Sequence, residues 1–268
     1  MAAALASSAI KPERTHDGGG NPALPQNKEV ELKWRLNRAP AFLADKATTT
    51  TQLPHWHISQ TYLGGEWETC PVLLQLLQHK NVVVPCWAAI KEVRLRQRTS
   101  AGGLNPITQH ILTLKSDGTL ERDEYEVSDL RVEEVEALLA TLPQIGSTIW
   151  KRRFAVPLLV VEKLEEDEKE LILEVDVFEA PSTLVGLVLV ELEFNPDLHG
   201  GVDAINLARL QRLAIDTLKD REEGATTNAS SASVTSVAPL EWQDVTNDRN
   251  YKNRQLATHT SSAFLSAS

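Results

Sequence analysis

The chain has 268 residues, 42% hydrophobic and 24% charged, with a formal net charge of −10. This allows a substantial core in one large domain or two small ones, and argues against a surface that coats nucleic acid, which demands clustered Lys and Arg. No apolar run nears the roughly 20 residues of a membrane helix, the first residues lack the apolar core of a signal peptide, and Cys70 and Cys86 have no metal spacing or redox motif around them, so a soluble cytoplasmic chain with reduced thiols is expected.

In chain order, residues 1–27 hold Gly18-Gly19-Gly20 and three prolines without hydrophobic periodicity, which predicts a disordered leader. The first strand is expected at 29–36, with Glu29, Glu31 and Lys33 on one face and Val30, Leu32 and Trp34 on the other. A threonine-rich loop at 47–52 precedes a second strand at 58–63, closed by Gly64-Gly65. Leu73, Leu74, Leu76 and Leu77 suggest a short helix, and 82–84 a strand edge before Pro85.

From Ile90, Arg94, Arg96 and Arg98 alternate with Val93, Leu95 and Gln97, and a loop around 101–106 leads into a strand at 109–116 with Thr113 and Lys115 on one face. After the Asp117-Gly118 turn, Arg122, Glu124 and Glu126 share a face against Asp123, Tyr125 and Val127. Ser128 or Asp129 can cap a helix to about 142, carrying Val132, Val135, Leu138, Leu139 and Leu142 and ended by Pro143. Strands follow at 149–154 (Lys151, Arg153), 157–163, 171–178 (Glu174, Asp176) and 186–194 (Glu191, Glu193), with an acidic turn at 165–170. An amphipathic helix at 204–218 precedes a Ser/Thr/Ala linker at 224–237 and a compact segment at 240–257 holding Trp242, Val245, Tyr251 and Leu256. The resulting organisation is a leader (1–27), a main domain (28–198), an inserted helix and linker (199–238), a segment completing the domain (239–257) and a disordered tail (258–268).

A charge at i and i+2 on a strand is usually the solvated face of an antiparallel sheet. Here the pairs keep one sign within a strand: Glu29 with Glu31, Arg94 with Arg96, Glu124 with Glu126, Lys151 with Arg153, Glu174 with Asp176, Glu191 with Glu193. A solvated face gains more by mixing signs. The opposite faces are apolar and the helices are amphipathic enough to cover them, so the charged faces are expected to converge inside an antiparallel sheet closed into a barrel. Acids there (Glu29, Glu31, Glu124, Glu126, Glu174, Asp176, Glu191, Glu193) suit hard cations, Mg²⁺ or Mn²⁺. The bases Lys33, Arg94, Arg96, Lys115, Lys151 and Arg153 suit phosphate oxygens. Together they form a phosphoryl-transfer constellation.

The ordered series Glu29-x-Glu31-x-Lys33, Gln60-x-Tyr62-Leu63, Arg94-x-Arg96, Thr113-x-Lys115, Arg122-x-Glu124-x-Glu126, Lys151-x-Arg153, Glu174-x-Asp176 and Glu191-x-Glu193 resembles the CYTH, or triphosphate tunnel metalloenzyme, family. The likeness covers about residues 28–195. It resumes at Trp242-x-x-Val245-Thr246, Tyr251-x-Asn253 and Leu256, which resemble the closing segment of bacterial-type members. The resemblance implies an α+β fold built on an eight-stranded antiparallel closed β-barrel with a charged interior and helices outside, binding a linear triphosphate and one or two divalent metals. It implies that Glu29, Glu31 and Glu193 hold the first metal with Glu191 beside it. Glu126, Glu174 and Asp176 would help place a second metal or the attacking water. Lys33, Arg94, Arg96, Lys115, Lys151 and Arg153 would bind phosphates. The stretches 63–90 and 196–239 depart from the family pattern.

The expected activity is metal-dependent hydrolysis of inorganic tripolyphosphate in a monomer or homodimer, since no nucleobase or thiazole pocket is visible in the sequence. Alternatives are hydrolysis of a nucleoside or thiamine triphosphate, cyclisation of ATP, or a polyphosphate-binding module without turnover. His55 and His57 on an irregular loop read as surface residues. Arg98 either extends the basic row or reaches solvent.

Overall fold

The computed structural model describes residues 28–43, 53–101, 105–118, 121–158, 171–194, 207–228 and 238–258, with backbone only for Lys28, Glu29, Glu121 and 225–228. The expected leader, the threonine loop, the acidic turn, most of the 157–163 strand, residues 229–237 of the linker and the tail beyond 258 lie outside them.

Alternation of charged and apolar residues makes strands of Lys28–Leu36 (β1), His55–Leu63 (β2), Ile90–Ala101 (β3), Thr108–Ser116 (β4), Glu121–Val127 (β5), Gln144–Pro157 (β6), Ile172–Ala180 (β7) and Val188–Phe194 (β8). Among the described residues four α-helices are interleaved: α1 (Pro71–His79), α2 (Val132–Thr141), α3 (Leu207–Asn228) and α4 (Asn253–Thr258). A short strand, β9 (Trp242–Asp244), lies between the last two. Residues 82–84, expected as a strand edge, are irregular chain. Capping of α2 also differs from expectation. Asp129 sits at φ 56°, outside helical backbone, and the cap is Arg131, whose backbone N–H donates to Glu134 Oε2 at 2.7 Å. Helix α3 continues past the expected end at 218 into the Ser/Thr-rich stretch, because Asp216, Lys219, Asp220, Arg221 and Glu223 give it a polar outer face.

The expected closed eight-stranded barrel is corrected by the sheet topology. The strands form one nine-stranded antiparallel sheet in the order β5-β4-β3-β2-β6-β7-β8-β1-β9. It stays open because the free edge of β1 is shared. Trp34, Arg35 and Leu36 pair with Asp244, Gln243 and Trp242 of β9, and only Lys28–Val30 meets β5, opposite Asp123, Arg122 and Glu121. With β9 on the second half of that edge, β5 cannot run along it. The sheet curls until its first strand touches its eighth at one corner, which makes the charged face concave.

The convex face carries the core. Val30, Leu32, Trp34, Val156, Leu173, Val175, Val190 and Leu192 pack with Ala214 and Leu218 of α3. Val93, Leu95, Leu112, Leu114, Tyr125 and Val127 pack with Leu73, Leu76 and Leu77 of α1 and Leu138 of α2. A third cluster lies on the concave side, where Tyr62, Ile149, Phe178 and Leu189 meet Val245, Tyr251, Leu256 and Ala257 of the C-terminal segment. That segment is held to β1 by the Val245 N–H donating to the Lys33 carbonyl at 3.0 Å. It fits so closely that a Cβ on Gly146, which has φ +65°, would lie 2.2 Å from the Ala257 carbonyl oxygen. Among the described residues no helix is long and apolar enough to cross a membrane.

Because Leu218 is fully buried under the sheet, Leu218→Ala should lower the unfolding free energy by about 2–5 kcal/mol, read as a lower urea midpoint at unchanged m-value.

Candidate functional site

Directly opposed Cα atoms in a sheet put their side chains on the same face, so the register assembles the site. Glu31 opposes Glu193 and Lys33 opposes Glu191. Glu191 opposes Glu174, Asp176 opposes Arg153, and Lys151 opposes Ile58. Ile58, Gln60 and Tyr62 of β2 oppose Arg98, Arg96 and Arg94 of β3. Arg94 opposes Thr113 and Glu92 opposes Lys115, which are followed by Glu126 and Glu124 of β5. One continuous charged face thus runs from β1 through β8, β7, β6, β2, β3 and β4 to β5.

Carboxylate oxygens of Glu31, Glu191 and Glu193 lie within 4.8 Å of one another. The Lys33 ammonium bridges two of them, 2.6 Å from Glu31 and 2.9 Å from Glu191. Burial opposes the Lys33 charge, but Glu191 and Glu31 outweigh it and hold its pKa above the ordinary lysine range. Burial likewise opposes the Glu191 charge, and Lys33, Lys151 and Arg153 hold its carboxyl well below the usual carboxylate range. As hard oxygen donors within reach of one centre, the three carboxylates fit a hard divalent cation. Glu29 belongs to the same face through its backbone position opposite Arg122, while its side chain lies outside the description.

Arg153 is the best-held base. Its Nε and Nη2 donate to the two oxygens of Asp176 at 2.7 and 2.6 Å, Nη2 also donates to Glu191 at 2.6 Å, and Nη1 donates to Glu174. Asp176 is fully buried and also pairs with Lys151, whose ammonium lies 5.4 Å from the Phe178 ring centroid. Of the expected catalytic trio, Glu174 and Asp176 therefore meet around Arg153. Glu126 stands on the far limb, where it accepts from the Ser128 hydroxyl at 3.2 Å.

The opposite limb is cation-rich. Arg94 is buried, with Glu92 at 3.7 Å and Glu124 at 3.9 Å, and Lys115 lies 3.5 Å from Glu124. Arg96 makes no ion pair among the described residues and its buried Nε has no hydrogen-bond partner. Burial, then Arg94 and Arg153, pull its pKa below the ordinary arginine value, and the attraction of Glu126 and Glu174 only partly offsets them. An anion placed there would relieve that repulsion.

Sequence reasoning gave no site role to four contributors, although Arg122 and Asn253 stood in its motifs. Arg122 donates to Glu31 Oε2 at 2.6 Å, and Glu92, Lys252 and Asn253 line the same narrow, solvent-open cleft as Glu31, Lys33, Arg94, Arg96, Lys115, Glu191 and Glu193. Arg122 and Glu92 were legible as further members of their strands' charged faces. Lys252 was not, because it arrives through docking of the C-terminal segment, where its ammonium donates to the Gly118 carbonyl. The histidines play no part in this face: His55 stacks on Phe154 with centroids 5.0 Å apart, on the convex side.

Burial depresses the Lys151 pKa to about 8, with Asp176 opposing the shift and Arg153 adding to it. Between that value and the unfolded value of about 10.4 the unfolded chain binds more protons, so Lys151 contributes stability that is present above the unfolded pKa and lost as pH falls through about 8. Urea midpoints should rise for the wild type relative to Lys151→Met between pH 8 and pH 10, with Arg153 still holding Asp176 in the variant.

No family model matches the chain, and no curated protein matches it. Among solved structures it is similar to the PH1819 protein from Pyrococcus horikoshii OT3, at 16% identity and a TM-score of 0.36, over 80% of this chain and 93% of that one.

Proposed function

We propose that this protein is a metal-dependent triphosphatase of the CYTH type that hydrolyses inorganic tripolyphosphate to pyrophosphate and phosphate on its concave charged face. The observation carrying this reading is the juxtaposition, in one cleft, of the Glu31, Glu191 and Glu193 oxygens with the cations Arg94, Arg96 and Lys115. Acids alone would suit a cation and bases alone an anion, whereas both together suit a metal-bound polyphosphate. The ordered motifs that resemble the CYTH family support the same reading.

In this reading Glu31, Glu191 and Glu193, with Glu29 from the same strand face, hold Mg²⁺ or Mn²⁺, which when bound would screen and polarise phosphate oxygens. Arg94, Arg96 and Lys115 bind the phosphate chain, and Arg96, which makes no ion pair among the described residues, offers two guanidinium N–H groups to one phosphate. Lys33, Lys151 and Arg153 are engaged with carboxylates, so they reach phosphate by exchanging a carboxylate for it or hold the carboxylates in place. In this reading Glu126 and Glu174, both within electrostatic reach of Arg96, orient water and accept its proton as the water oxygen bonds to the terminal phosphorus and the bridging P–O bond breaks. Asp176, fully enclosed, positions Lys151 and Arg153. Both cysteines are free, as suits the cytoplasm.

Phosphate release from tripolyphosphate with Mg²⁺ or Mn²⁺ tests this, and a chelator should abolish it. The Glu31→Gln, Glu193→Gln double variant should fold and lose at least about 100-fold in kcat/KM. Turnover that survives the chelator, or a folded double variant with full activity, would overturn the reading.

A further inference from the structure

His55 and His57, expected on an irregular loop, lie instead at the start of β2, on the convex face and away from the charged cleft. Two positions apart on one strand, they stand side by side, with ring centroids 5.9 Å apart and planes at 65°. An imidazole nitrogen binds Zn²⁺ at about 2.0–2.1 Å, which puts the ion about 3.2 Å from the ring centroid. Two centroids up to about 6.4 Å apart can therefore share one ion. This pair falls within that span.

His55 is held in place from two sides. Its ring stacks on Phe154, with centroids 5.0 Å apart and planes at 25°, and its Nδ1 lies 3.3 Å from the Leu53 carbonyl oxygen. A carbonyl oxygen only accepts, so Nδ1 carries the proton and Nε2 keeps a free lone pair. A backbone carbonyl that fixes the tautomer and the ring in this way is the usual outer support of a metal-binding histidine. Phe154 and Leu53 both pack in the core cluster under α3, so the support is rigid. His57 is exposed, and its neighbours across the sheet are Thr99 and Arg152. Arg152 is the charge that would oppose a cation there. Its guanidinium lies over Phe154, 5.8 Å from the ring centroid, and pairs with Glu179 at 2.6 Å, which offsets the repulsion.

We propose that His55 and His57 form a two-imidazole surface site for a divalent transition ion, Zn²⁺ or Cu²⁺, with water in the remaining coordination positions. Imidazole nitrogen suits these ions, whereas Mg²⁺ and Mn²⁺ prefer oxygen donors such as the Glu31, Glu191 and Glu193 set. The two faces of the sheet thus sort ions by donor type. The site shares no residue with the cleft and stands or falls independently of the phosphate reading.

Titration of the full chain with Zn²⁺, followed by calorimetry in excess Mg²⁺ to occupy the carboxylate cleft, tests this. Wild type should take up Zn²⁺, and His55→Gln, His57→Gln should weaken that binding at least about tenfold, the loss that follows removal of even an outer-shell partner. His57→Gln alone, a change at an exposed side chain, should weaken it as well while leaving the circular dichroism spectrum unchanged. With Cu²⁺ as the probe, the electron paramagnetic resonance spectrum of wild type should show coupling to imidazole nitrogens that the double variant loses. Zn²⁺ affinity that survives in the double variant, or that falls only with Glu31→Gln, Glu193→Gln, would overturn the site.

Discussion

The Arg153 guanidinium, clamped by Asp176, Glu174 and Glu191 from two neighbouring strands, is the interaction on which the concave face depends. Burying acids and bases on the inside of a curved sheet is costly unless each charge finds a partner. Arg153 supplies the partner to three carboxylates at once, and through Asp176 it also holds Lys151. Remove it and Asp176 and Glu191 would share a buried region with only the lysines to balance them.

That neutralisation is uneven, and the unevenness gives the face its polarity. On the β1, β8, β7 and β6 limb the acids and bases are closely matched: Lys33 sits between Glu31 and Glu191, and Lys151 sits against Asp176. On the β3 limb the separations lengthen to 3.7 and 3.9 Å at Arg94, and Arg96 makes no ion pair among the described residues. A ligand that is anionic along its length and brings its own cation to the acid cluster would complete both limbs.

The edge of β1 sets the shape in which this happens. Two strands far apart in the chain, β5 and β9, divide one row of backbone donors and acceptors between them. The division leaves the sheet curled and open. It also carries the C-terminal segment over the Tyr62, Phe178 and Leu189 end of the face and brings Lys252 and Asn253 into the cleft.

By itself the sequence determined which side chains share a face. A strand has a side-chain period of two, so Glu31 with Lys33, Arg94 with Arg96 with Arg98, and Glu191 with Glu193 were legible as charged sides, and Val30, Leu32, Val190 and Leu192 as apolar ones. The helical spacing of Leu73, Leu76, Leu77 and Leu138 was legible in the same way. Only the tertiary structure decided how the sheet ends, that Lys252 enters the cleft, that Asp176 is enclosed rather than open, and that Trp56 meets Arg98. Alternation is a local property of the chain, whereas the edge of β1 is settled by competition between strands, with Leu36 pairing to Trp242. No local period encodes a contact across that separation. The closed barrel expected from alternation gave way to an open sheet because backbone hydrogen bonding to β9 occupies half of the edge that closure would need.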